Sequence, residues 1–446
     1  MKKLLQSALF VPFVLASSAS ANELDGQTFV HLFEWPWSDV AHECESYLGP
    51  NGYHAIQVSP ANEHINYPTW WARYQPVTFD KFESFSGSEE ALRSMLQRCN
   101  DAGVKVYADA VINHTADFEG EGVGTSGTPW RLMEHPGLSP ANYHDDCTIQ
   151  SYQRATEVQE CKLGALPDLD TSQPYIRGLL RAYLNRLADL GFNGVRIDAA
   201  KHISREDLAV ILEDVQHDFV FLEVIGDPSS EALLQPASYT NLGAVTDFSY
   251  RGAIYNALSS GSEGVISVLQ YSDADLLNGA VVFVDNHDTE RHTEDLTTEQ
   301  KRFLESLLLT SPYGYPKVLS GYRFDNRDQR PAQLNVSCGD VWTCWHRDPV
   351  VTFFANARAE WTGQTRSEVT SLSEAVTFLS IGDQLVFINS STNEQSVNVS
   401  VELDHGNYCS LVPNDASTLD VGWFAGTTAS LQPLTIAVFD TATPCD

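Results

Sequence analysis

The chain has 446 residues, 43% of them hydrophobic, enough to bury a large core and to form more than one domain. Its 27 basic residues face 59 acidic ones, and the formal charge of −32 argues against nucleic acid or an anionic membrane as a partner. The substrate is therefore expected to be neutral or cationic.

Residues 1–21 read as a secretory signal peptide: Lys2 and Lys3, an apolar stretch from Leu4 to Leu15, then Ala19-Ser20-Ala21 as a small-residue cleavage site. That stretch is too short for the roughly 20 residues a spanning helix needs, so the mature chain is expected outside the cell, with no membrane anchor. The cysteine count of 8 suits disulfides in an exported protein, and no Cys-x-x-Cys pair points to a thiolate metal site. Cys147 and Cys161, Cys338 and Cys344, and Cys409 and Cys445 are close in sequence, but the sequence does not fix the pairing.

From Thr28 to about Ser320, strand-like runs alternate with amphipathic helical stretches. The strands are predicted at Thr28–Phe33, Ala55–Ser59, Lys105–Ile112, Val195–Asp198, Phe219–Ile225, Val245–Phe248, Val281–Asp285 and Val318–Leu319. Helices are predicted at Glu89–Cys99, Tyr175–Leu190, Arg205–Gln216 and Glu299–Leu309, the second with apolar residues at helical spacing from Ile176 to Leu187. The pattern predicts an α/β fold, a (β/α)8 TIM barrel over residues 22–114 and 168–358. Residues 115–167 are too long for a loop and read as a subdomain inserted after the third strand, closed by Cys147 and Cys161. Beyond residue 358 the runs Ala375–Leu379, Gln384–Ile388, Ser396–Val401 and Leu434–Phe439 predict a C-terminal antiparallel β-sandwich over 359–446. Whether this domain binds a ligand or only stabilises the barrel is left open by its Trp423.

Four of the predicted strands carry acidic or His residues at or just past one end: Asp109 through His114, Asp198, Glu223, and Asp285 through Asp288. Parallel barrel strands bring those ends to one face, where barrel enzymes keep their catalytic groups. Glycoside cleavage needs one carboxylate near the anomeric carbon and one carboxylic acid to protonate the leaving oxygen. Asp198 and Glu223 end consecutive strands, and Asp288 arrives from across the rim. Arg196, two residues before Asp198 on the same strand face, is expected to keep that carboxylate ionised, and Glu223, in an apolar run, is expected to have a raised pKa.

The segments Asp109-Ala-Val-Ile-Asn-His114, Gly194-Val-Arg-Ile-Asp-Ala-Ala-Lys-His202, Phe221-Leu-Glu-Val-Ile225 and Phe283-Val-Asp-Asn-His-Asp288 resemble, in order, the four signature segments of the α-amylase family, glycoside hydrolase family 13. Leu166-Pro-Asp-Leu-Asp170 resembles its fifth. The resemblance implies Asp198 as nucleophile, Glu223 as general acid/base and Asp288 as the third carboxylate, with His114 and His287 donating hydrogen bonds to the sugar. Trp70, Trp71, Tyr74 and Gln75 resemble the family's aromatic sugar platform, and Lys201 with His202 resembles the form that favours endo-hydrolysis of α-1,4 bonds in starch or glycogen, Lys201 contacting leaving-group glucose units. Asn113, Asp168 and the carbonyl of His202 match calcium ligands, with a carbonyl from Gln159 as a fourth placed by spacing, and hard oxygen donors suit Ca2+. Arg196, Asn286 and Lys317 match the chloride site of the chloride-dependent animal and bacterial branch. Glu34, Ser320 and His346 resemble a protease-like trio of that branch, expected to be structural. The stretch Thr289–Gln300 departs from it, being short and lacking a Gly-rich mobile loop, which leaves the reach of His292 in doubt. A monomeric α-amylase is the leading reading. A related oligoglucosidase or glucan-transferring enzyme, or a non-catalytic glycan-binding protein, are the alternatives.

Overall fold

Eight short, almost wholly buried runs form the strands of a closed parallel barrel: β1 Phe29–Leu32, β2 Ala55–Val58, β3 Lys105–Ala110, β4 Gly194–Ile197, β5 Phe219–Leu222, β6 Ala244–Thr246, β7 Ala280–Phe283 and β8 Tyr315–Ser320. The structure is a computed structural model, and it describes residues 24–276, 279–292, 296–331, 335–401, 403–422, 426–442 and 444–445. The expected signal peptide over residues 1–21, and Trp423, lie outside the described residues. Each strand pairs in parallel with its sequence neighbour, and β8 closes on β1 through Phe29↔Lys317 to Leu32↔Ser320. Strands covered on both faces can be apolar throughout, which is why these runs read as continuous hydrophobic stretches.

Alternation along the strands sorts the barrel interior into levels. At the lower end Phe29, Tyr107, Phe219, Phe221 and Tyr315 pack together with Ala55, Ala244 and Val281, the rings of Phe29 and Tyr315 lying 4.5 Å apart. Gly194 belongs here because a Cβ would meet the Tyr107 ring at 2.7 Å and the carbonyl of Phe219 at 2.6 Å. Two residues further along β2, β3, β4 and β8 stand Gln57, Asp109, Arg196 and Lys317, and the register places Asp109 opposite Arg196. A charged level thus sits directly on an aromatic one.

Helices ring the barrel. Glu89–Asp101 starts at Ser88, whose side chain accepts the amide of Ala91, and Pro174–Leu190 buries Ile176, Leu180, Tyr183, Leu184 and Leu187 before stopping at the left-handed Gly191. Thr298–Thr310 begins with a capping box of Thr297 and Gln300. Between β3 and β4 the chain leaves the barrel through a hairpin, Glu121–Val123 with Pro129–Arg131, and a short helix, Ala155–Glu160. The C-terminal region forms two four-stranded antiparallel sheets, ordered Thr370–Ser371, Val376–Ile381, Gln384–Asn389, Thr435–Asp440 and Gln395–Val399, Thr427–Leu431, Thr418–Val421, Gly406–Cys409. The disulfides are Cys44–Cys99, Cys147–Cys161, Cys338–Cys344 and Cys409–Cys445.

One expectation is corrected here. Ser320 and His346 do meet, Oγ to Nδ1 at 2.6 Å, but the carboxylate on His346 Nε2 is Glu43, at 2.7 Å, not Glu34. Glu43 also accepts Arg347 Nε and Nη2, each at 2.6 Å, and although burial raises its pKa, His346 and Arg347 outweigh that and hold it at about 2. Glu34 instead pairs with Arg73 and, at 3.6 Å, with Arg330. Ser320 and His346 are wholly buried, so the trio fastens the Trp37–Glu43 helix to β8 with no access for a substrate.

Candidate active site

The strand ends converge as the barrel requires. Arg196 projects inward from β4 one level below Asp198, and its guanidinium is shared: Nη1 lies 2.5 Å from Asp109 Oδ1 and 2.9 Å from Asp198 Oδ1, while Nη2 lies 2.8 Å from Glu223 Oε1. Asp109 is further held by Gln57 Nε2 at 3.1 Å and the Tyr74 hydroxyl at 3.0 Å. Immediately after Asp198 the chain turns through Ala199 at φ 48, a left-handed conformation unusual for a side-chain-bearing residue, and this aims the Ala199 amide at Glu223 Oε2, 3.0 Å away. Asp288 is set by Asn286, whose side-chain oxygen accepts the amides of Asp288 at 3.0 Å and Thr289 at 2.7 Å.

These three carboxylates open into a cleft of about 330 Å³ lined also by Trp70, Trp71, Tyr74, His114, Lys201, His202 and His287. Tyr74 stacks on His287 at 4.9 Å between centroids, and His287 Nε2 lies 3.3 Å from Asp288 Oδ2. Burial and the nearby Arg196 lower the pKa of His287 well below its ordinary value, and its Nδ1 has no hydrogen-bond partner among the described residues. Lys201 Nζ donates to the carbonyl of Ile225 at 3.1 Å. Trp70 Nε1 donates to the carbonyl of Arg327 at 2.7 Å.

Several expected contacts fall elsewhere. His114 lines the cleft, but its Nε2 donates to the carbonyl of Tyr74 at 2.9 Å, its Nδ1 faces the Asn113 amide at 3.5 Å, and burial lowers its pKa to about 4, so the neutral ring has no proton left for a sugar. Gln75 points away: its Oε1 accepts the amides of Asp117 and Phe118, both at 3.1 Å. Arg196 is buried beneath the cleft rather than in its wall. His292 contacts Arg327 at 3.3 Å and does not line the cleft.

The electrostatics also depart from expectation. Burial raises Glu223, but Arg196, the Ala199 amide and Lys317 outweigh it and hold its carboxyl below the ordinary value. Burial raises Asp198 well above its ordinary value, against the pull of Arg196, because Asp198 divides Nη1 with Asp109 while Glu223 has Nη2 and a backbone donor to itself. These two directions are the opposite of those expected from the sequence. Asp288 is pushed up to about 7 by burial and by Glu223.

The residues matched to calcium form a second cluster beside the cleft. Asn113 Nδ2 donates to Asp168 Oδ1 at 3.0 Å, and His144 Nδ1 meets Asp168 Oδ2 at 2.6 Å. Burial pushes Asp168 up to about 6. His202 Nδ1 donates to the carbonyl of Val158 at 3.0 Å, and Gln159 Nε2 donates to the Tyr239 hydroxyl at 3.2 Å, which ties the Ala155–Glu160 helix to the barrel. Of the residues matched to chloride, Lys317 is buried with Nζ 3.4 Å from Gln57 Oε1. Burial and Arg196 lower its pKa to about 7.

Sequence reasoning assigned no role to Asp109, Gln57, His144 or Tyr152. A charged residue inside a buried strand was the available signal for Asp109. For Tyr152, which enters the cleft wall from the insertion while 45% exposed, composition offered none.

Residues 46–220 match a family model described as "Alpha amylase, catalytic domain". An α-amylase of Thermomonospora curvata is 38% identical over 372 residues, covering 76% of this chain and 60% of its own length. An α-amylase of Tenebrio molitor is 34% identical, covering 89% of this chain and 91% of its own. The crystal structure of α-amylase I from Eisenia fetida superposes with a TM-score of 0.80 at 28% identity, covering 93% of this chain and 97% of that one. Fold, cleft and sequence agree, and the chain belongs to the α-amylase family of glycoside hydrolases.

Proposed function

We propose that the protein is a secreted, endo-acting α-amylase that cleaves internal α-1,4-glucosidic bonds of starch or glycogen with retention. The observation that carries this is the pairing of Asp198 and Glu223 with the two arms of one guanidinium at the cleft floor. Carboxyls so joined suit the close spacing of retaining enzymes, about 5–5.5 Å, rather than the roughly 6.5–9.5 Å of inverting ones. A related solved complex of the Eisenia fetida enzyme with maltohexaose supports an α-glucan chain as the occupant. Asp198 attacks the anomeric carbon while Glu223 gives its proton to the leaving oxygen, and Glu223 then takes a proton from the water that opens the glycosyl ester. Asp288 and the Nε2 edge of His287, 3.3 Å from it, line the cleft where the sugar hydroxyls would lie. The test is soluble starch followed by iodine colour, chromatography and anomeric NMR. Rapid colour loss, a ladder of maltooligosaccharides and α-anomeric products are expected. Release of glucose alone, or cyclic and lengthened products, would replace this reading by that of an oligoglucosidase or a transglycosylase.

Glu223 must hold a proton to act as acid, yet Arg196 and Lys317 depress it. Two buried cations that repel one another, one of them a lysine lowered to about 7, form the donor set an anion relieves. Arg196, Lys317 and Asn286 would hold chloride, whose charge supplies a counter-field beneath Glu223. The general acid is lost as pH rises through its pKa, so chloride-free enzyme should show its basic limb at lower pH, with added chloride moving it upward. A pH–kcat/KM profile identical with and without chloride excludes the site.

For calcium the donor chemistry also fits: the desolvated carboxylate of Asp168, the Asn113 amide, and the carbonyls of Gln159 and His202 are hard oxygens. The bound ion would supply a tie between insertion and barrel. EDTA is expected to lower Tm and to speed proteolysis within residues 115–167, with recovery on adding Ca2+. Unchanged Tm and unchanged proteolysis would remove calcium from the account.

A further inference from the structure

The aromatic wall of the cleft does not end at Trp71. The Tyr67 ring stacks on Trp71, with centroids 5.5 Å apart and planes 29° apart, and Phe118 touches both, at 4.1 Å from Tyr67 and 5.3 Å from Trp71. Trp71 itself lines the cleft beside the carboxylates, so the rings form one continuous strip that runs outward from the reacting centre. We infer that Tyr67 and Phe118 build an additional α-glucan subsite, which makes this enzyme select long chains over short ones. This inference rests on the α-amylase reading above.

Two observations separate a binding strip from a core cluster. Tyr67 is 36% exposed, and Trp71 and Phe118 are only half-buried, whereas rings that merely seal the apolar cluster of Ile65, Ala72, Val77, Ala116 and Trp130 would be covered. Both supporting segments are also fixed by polar bonds that the rings do not need for packing. Gln75 Oε1 accepts the amides of Asp117 and Phe118 at 3.1 Å, and the chain before Tyr67 is joined to the hairpin through the Asn66 amide and the carbonyl of Val123 at 3.3 Å. A strip held in place before substrate arrives loses little freedom on binding. Pyranose rings present C–H faces that pack on aromatic faces, and an uncharged chain is compatible with so acidic a surface.

The test compares kcat/KM on maltoheptaose with kcat/KM on a chromogenic maltotrioside for wild type, Tyr67→Ala, Phe118→Ala and Tyr67→Phe. The alanine variants are expected to lower the long-to-short ratio about fivefold, and Tyr67→Phe to keep it, because the ring face carries the contact. The ratio is internal to each preparation, so any loss of folded protein cancels from it. Long and short substrates falling together would assign the rings to structure, and an unchanged ratio would show that the glucan does not reach them. If wild-type enzyme cleaves neither substrate, the α-amylase reading fails and not the subsite alone.

Discussion

Glu223→Gln is expected to lower kcat on starch by about 10²–10⁴-fold, with KM changed only a few-fold. The substitution keeps the shape and leaves an oxygen to accept the Ala199 amide, so Ala199 can hold its left-handed turn. Arg196 keeps Asp109 and Asp198 as partners, and the fold should therefore survive. What is lost is the transferable proton, which matters in bond cleavage and again when water enters. Steady-state kinetics beside a thermal melt decide the point. A variant with a native melt and wild-type turnover would remove Glu223 from the acid/base role.

The second large effect is on stability. Arg196→Met should destabilise the protein by about 3–5 kcal/mol, because it leaves Asp109, Asp198 and Glu223 buried around a missing counter-charge. The sign of its pH dependence follows. Without the guanidinium, Asp109 and Asp198, already raised by burial, rise further above their unfolded values and Glu223 rises from below its own, so the folded variant binds the extra protons. Its stability should then fall as pH rises from the ordinary carboxylate range toward neutrality, and the gap from wild type should narrow in acid. Urea unfolding at several pH values measures this. A gap that stayed constant or widened in acid would mean that the loss comes from packing.

The barrel was legible because buried parallel strands write themselves as apolar runs, and each of the eight expected runs overlaps an observed strand. Their ends were less legible. The third and fifth runs were read to Ile112 and Ile225, whereas pairing stops at Ala110 and Leu222 and the chain leaves the sheet to present Asn113 and Glu223. Apolar character continues past the last strand bond there because the loops are themselves buried. The carboxylates were legible as polar endings on a common face, but the ordering of their pKa values was not. That ordering depends on which arm of Arg196 each group meets and on one backbone amide, geometry that no spacing encodes. The exchange of Glu34 for Glu43 has a similar cause. Glu34 lies just before the Trp37–Glu43 helix and Glu43 is its last residue, and only the position of His346 decides between them. Cys44–Cys99 escaped notice because its 55-residue separation is bridged by tertiary packing alone. Gln75 read as a sugar ligand because it follows the tryptophans, yet two amides 42 and 43 residues away claim its oxygen.

The aromatic packing at the lower end of the barrel has a consequence for water. Phe29, Tyr107, Phe219, Phe221 and Tyr315 plug that end of the interior, while Asp198, Glu223 and Asp288 line the cleft at the other. On the proposed mechanism, a glucan lying across the cleft would cover the open side, and the water that opens the glycosyl ester would enter from that side after the leaving chain withdraws.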